Sequence, residues 1–108
     1  MKLINLTPHE VNIVTEAGII SIPASGVVAR AAATPTPVGT IEVDGAEIDL
    51  VSTAYGAVEN LPEPEADTIF IVSALTISAA PDRTDLFSPA DLVRDEAGNI
   101  IGCRAFTR

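Results

Sequence analysis

The sequence is short of most groups that carry chemistry. It has one cysteine, Cys103, and one histidine, His9. One cysteine forms no intrachain disulfide, and a reducing compartment suits it best. One of each excludes a zinc site with three or more His or Cys ligands in a single chain. EF-hand spacing is missing, so no metal and no cofactor is expected. The seven glycines are scattered among turns. They form neither a Walker loop nor a dinucleotide fingerprint.

Bulk is scarce as well. Tryptophan is absent, and the only aromatic residues are Tyr55, Phe70, Phe87 and Phe106. The core must come from Val, Ile, Leu and Ala, which bury little area per residue. Oligomerisation would offset that, so a homo-oligomer is expected. Cations are few: six Lys and Arg stand against fifteen Asp and Glu, a net charge of −9. Such a field repels polyanions, which excludes long nucleic acid and an anionic membrane surface as partners. A small anion remains compatible, because a few local arginines outweigh a distant field at short range. No apolar run approaches a membrane span, and Met1 to Val11 lacks the features of a signal peptide. The expectation is a cytoplasmic protein.

What is present points to one β-rich domain over residues 1–108. Hydrophobic residues make up 47% and charged residues 19%, which is a folding composition. Val11 to Val14 and Ile19 to Ile22 flank a turn at Glu16-Ala17-Gly18, a first hairpin. Ala31 to Gly39 carries Pro35 and Pro37 and reads as an extended edge segment or loop. Asp44-Gly45 between Ile41-Glu42-Val43 and Ala46 to Leu50 reads as a two-residue hairpin turn. Its acids, Glu42, Glu47 and Asp49, form a solvated face. Thr68 to Val72 is a continuous apolar run, expected as a central strand buried on both faces. Ser73 either caps a short helix ending at Pro81 or sits in a continued strand. Ser88-Pro89 predicts a helical turn through Leu92. Val93 to Arg104 reads as a closing hairpin. The fold class expected is mainly β: a small barrel or sandwich of short antiparallel strands with one or two short helical turns.

Candidate site residues are few. His9 is the only histidine that could serve as a base, and one residue is no constellation. Cys103 lies in an apolar stretch and reads as a structural thiol. Four of the six cations lie beyond position 80: Arg83, Arg94, Arg104 and Arg108. Arg83 follows a proline-marked corner and suits bidentate contact with phosphate or carboxylate. Two readings stand. Arg83 lines an anion pocket, or it pairs with Asp82 or Asp85, as Arg94 would with Asp95 or a neighbour.

Several motifs resemble, in order, a family of small uncharacterised proteins of bacteriophages, prophages and some bacteria. They are Asn5-Leu6-Thr7-Pro8-His9, Ile71-Val72-Ser73, Arg83-x-Asp85 with Pro89, and Arg94-Asp95-x-x-Gly98-x-Ile100-Ile101-Gly102-Cys103. The family has no settled activity, so the resemblance implies no catalytic residue. A phage setting implies a host bacterial cytoplasm. By analogy with small β-rich anti-defence proteins, it also implies a non-enzymatic protein sequestering a nucleotide-derived immune signal. The ligand-binding residues expected on that reading are Arg83, Asp85, Ser73, Arg94, Arg104, His9 and Thr7. The alternatives are a structural or protein-interaction accessory protein, of the virion or against a host factor, and a small hydrolase using His9, Asp85 or Asp95.

Overall fold

A computed structural model describes all 108 residues. Eight strands and one short helix follow in the order β1 (Lys2–Asn5), β2 (Val11–Thr15), β3 (Gly18–Ile22), β4 (Arg30–Val43), β5 (Ala46–Glu59), β6 (Thr68–Ile71), α1 (Ala74–Ala79), β7 (Leu86–Arg94) and β8 (Ile100–Thr107). The mainly β class agrees with the sequence reading. Six strands form one sheet in the order β1-β6-β7-β8-β2-β3, and β4 and β5 form a separate ribbon. The pairing is mixed rather than all antiparallel. β1–β6, β6–β7 and β2–β8 run parallel, while β2–β3 and β7–β8 are antiparallel hairpins.

The six-stranded sheet curls into a half-barrel. Strand β6 explains how its two sides are filled. Side chains alternate along a strand. Phe70 and Val72 therefore join Leu6, Ala29 and Leu86 in one cluster, with Ile77 and Ala80 of the helical segment laid against it. Ile71 points the other way and packs with Val11 and Cys103. Phe70, Ile71 and Val72 are all fully buried. The apolar run is the central strand expected of it.

Local chemistry sets the helix. The Ser73 hydroxyl accepts from the Thr76 amide at 3.3 Å, an N-cap, and Ala80 closes the end before Pro81. The helical turn expected at Ser88-Pro89 does not form: both residues lie in β7. The reason is the neighbourhood. β7 pairs with β6 only at Leu86 and Phe87, so Pro89 sits where one edge of β7 has no ladder partner. A missing N–H costs little there.

In the β4–β5 ribbon, Ala31 to Gly39 takes the extended edge form and not the loop, and the hairpin extends from Arg30 to Glu59, longer than the turn alone implies. Asp44 (φ 51°) and Gly45 (φ 81°) make the expected tight turn. Nearly every residue of the ribbon is exposed, including Ile41, Val43, Ile48 and Leu50. The chain measures 56 × 39 × 22 Å with a radius of gyration of 17.6 Å. A globule of this length would have about 13 Å. The ribbon is an arm standing away from a small body. No helix is long and apolar enough to cross a membrane.

Candidate functional site

Asn5 organises the Asn-Leu-Thr-Pro-His turn. Its side chain is buried and uses every bond it has. Nδ2 donates to the carbonyls of His9 at 2.7 Å and Ile22 at 3.1 Å. Oδ1 accepts from the Thr7 amide at 3.0 Å and the Thr7 hydroxyl at 2.6 Å. β1 and β3 are the two ends of the sheet order, so the Asn5–Ile22 bond ties one edge of the half-barrel to the other. His9 contributes its backbone carbonyl to this turn, while its side chain is exposed.

The turn forms one wall of a cleft of about 310 Å³ at the root of the arm. Leu6, Ala29 and Leu75 give it an apolar floor, and Thr7 and Ser73 bring hydroxyls. Arg30 and Tyr55, from the first strand of the arm and its partner, complete the lining. The Arg30 guanidinium forms no ion pair, with Glu59 standing directly opposite it in the β4–β5 register. No Asp, Glu, His or Cys lines this cleft, in a chain with fifteen acids. Thr7 and Ser73 were legible as candidates. Arg30 and Tyr55 were not. Arg30 stands alone between Lys2 and Arg83, and Tyr55 is the only tyrosine. Those isolated positions were the available sign, but only the length of the arm brings the two together.

The late arginines do other work. Arg83 Nε and Nη2 donate to both Asp85 carboxylate oxygens at 2.8 Å, and Nη1 donates to the Pro62 carbonyl at 2.9 Å. The guanidinium lies 5.8 Å from the centre of the Phe70 ring. All three of its nitrogens are bonded, so Arg83 and Asp85 fasten the acidic Pro62 loop to the sheet corner. Of the two readings of Arg83, the ion pair is the one formed. The hydrogen bond from Arg83 holds the Asp85 carboxyl below the ordinary carboxylate range. Arg94 Nη1 donates to the Gly98 carbonyl within the β7–β8 hairpin, not to Asp95. Arg108 bonds the Thr84 carbonyl and lies over Phe87. Arg104 borders a separate depression of about 550 Å³ with Val14, Thr15 and Glu16. The expected ligand residues are therefore dispersed. Only Thr7 and Ser73 meet in one cleft.

The hydrolase residues are dispersed too. Asp85 and Asp95 flank opposite ends of the nine-residue strand β7. Asp95 Oδ1 accepts from the Ala97 and Asn99 amides and caps the hairpin. No group of three His, Cys, Asp or Glu side chains is placed to hold a metal ion. Burial pushes the Cys103 thiol up, which keeps it protonated. Comparison with protein-family models, with curated proteins and with solved structures returns no match for this chain.

Proposed function

We propose that this chain is a non-enzymatic binding protein for a small anionic, nucleotide-like ligand, held in the cleft at the root of the arm. One observation carries the reading. In a strongly acidic protein, this cleft has no acid in its lining and an arginine whose guanidinium is not tied up in an ion pair, although Glu59 is its cross-strand neighbour. A guanidinium recognises phosphate or carboxylate with two parallel bonds. Next to it, an exposed tyrosine ring offers a stacking face, worth about 1–3 kcal/mol per base in nucleic-acid complexes. Thr7 and Ser73 hydroxyls serve sugar or phosphate oxygens. The lining holds no general base, which favours retention of a ligand over turnover. The resemblance to phage and prophage proteins adds the biological sense: sequestration of a nucleotide-derived immune signal.

Isothermal calorimetry against cyclic dinucleotides, ADP-ribose derivatives and mononucleotides tests the proposal. At least one compound binds the wild type, and Arg30→Ala and Tyr55→Ala each weaken it about tenfold or more. Silence across the panel from folded protein rejects it.

A protein-interaction role is the second reading. The exposed arm favours it, since Ile41, Val43, Ile48 and Leu50 share one uncovered face. Binding of a host protein that survives Arg30→Ala and is lost on shortening the arm would select that reading.

A further inference from the structure

The arm has two open edges of unequal chemistry. Strand β4 carries Pro35 and Pro37, which remove donors and blunt its edge against strand addition. Strand β5 has no proline, and from Leu50 to Val58 it carries no charged side chain. Every residue from Leu50 to Ala57 is exposed. An uncharged, open edge of this kind is a template for another strand. A lone two-stranded ribbon is also marginal in water, and a third and fourth strand would stabilise it.

We propose that two copies of this chain pair through the β5 edges, antiparallel about a two-fold axis at Ser52, to make one sheet in the order β4-β5-β5-β4. The charges of β5 choose the partner and the register. Antiparallel strands keep their faces matched only when each residue meets one of like orientation, which limits the axis to a residue. An axis at Glu47, Ile48 or Asp49 sets acid against acid. At Thr53 it sets Glu47 against Glu59, and at Ala54 it sets Asp49 against Glu59. Cross-strand like charges oppose pairing. Axes from Leu50 to Ser52 place every acid of β5 opposite an uncharged residue, and Ser52 gives the longest overlap. The pattern fits a second copy, because the same short uncharged run serves both sides of an isologous contact. The acid-bearing tips, with Glu42, Asp44 and Glu47, then lie at opposite ends of the shared sheet. The inference does not rest on a ligand in the cleft, although this register sets Asp49 of the second copy opposite Tyr55 of the cleft wall.

Sedimentation of the full chain is the test. The wild type sediments at twice the 11.2 kDa chain mass. Ser52→Glu and Ser52→Lys each raise the dimer dissociation constant about tenfold or more, because identical charges meet on the axis. An equimolar mixture of the two variants recovers the dimer. In wild type, amides of residues 50–58 exchange more slowly at concentrations where the dimer forms than on dilution. Circular dichroism confirms that each variant is folded. Should either variant fail to fold, the exchange comparison alone decides. A wild type that stays monomeric at about 100 µM overturns the proposal. So does a larger polymer, since two-fold pairing uses up the β5 edge. Variants that stay dimeric, a mixture that fails to recover, or exchange indifferent to concentration overturn it too. Dissociation by Ile41→Glu with none by Ser52→Glu would place the contact on the apolar face of the ribbon instead.

Discussion

The body and the arm use similar residues to opposite ends. β6 is Thr-Ile-Phe-Ile and β5 begins Ala-Glu-Ile-Asp-Leu-Val. Both are strands rich in aliphatic side chains. In β6 those side chains face packed neighbours on two sides, and Phe70 and Ile71 have no exposed surface. In β5, Ile48 and Leu50 face solvent at 45% and 40% exposure. The hydrophobic effect scales with area removed from water, not with residue identity. The body therefore holds the stability, and the arm holds surface to be used.

That contrast is most easily broken in the core. Phe70→Ala should cost about 3–5 kcal/mol in urea unfolding, while Ile41→Ala on the arm stays within about 0.5 kcal/mol. Equal losses would mean the arm is packed in solution. Asn5→Ala comes next. It strands the Ile22 carbonyl and the Thr7 amide, while the His9 carbonyl keeps the Thr7 hydroxyl, so about 2–4 kcal/mol should disappear from the same measurement. A cost near zero would show that the edge-to-edge tie is replaced by water.

The corner pair sharpens the comparison through pH. Asp85 has a lowered folded pKa, because Arg83 donates two hydrogen bonds to it. Its contribution is complete above the unfolded value of about 4 and is lost as pH falls through the lower folded value. Arg83→Ala should cost about 1–3 kcal/mol at pH 7 and less at pH 2. Thermal unfolding across that range reads it, and a cost independent of pH contradicts the pairing. The smallest effect concerns the arm alone. A hairpin shortened to the Thr36–Ser52 pair should leave the melting temperature of dilute monomer within about 4 °C of wild type. A larger drop would make the arm part of the core.

Much of the body was legible. Thr68 to Val72 announces its burial, and the Ser73 cap was one of two readings of its segment, because each depends on neighbours in sequence. The β7 strand was not, since Ser88-Pro89 is a good helix start until β8 supplies a ladder. Tertiary pairing overrides local propensity there. The arm was half legible. Its tip follows from the turn, and the prolines left the segment behind it open between an extended edge and a loop, because only an edge tolerates them. The cleft was legible on one wall. Thr7 and Ser73 belong to local motifs, whereas Arg30 and Tyr55 meet across a hairpin whose length no short-range pattern reports. Arg83 stood out for its chemistry, and Asp85, two residues away, absorbs it.

The parallel pairing of β1 with β6 has a consequence in time. Lys2 to Asn5 cannot find its partner until residues 68–71 exist. The arm between them is a local hairpin with a tight turn, of a kind that forms in about 1–10 µs. Residues emerge from a ribosome at about 5–20 per second. The arm therefore has seconds in which to open and close, as a ribbon marginal on its own, before the body has a core. Whenever it closes in that interval, its β5 edge is exposed on a chain that has not folded around it. The acids at its tip, and the prolines along β4, then guard a nascent chain against pairing out of register with its neighbours.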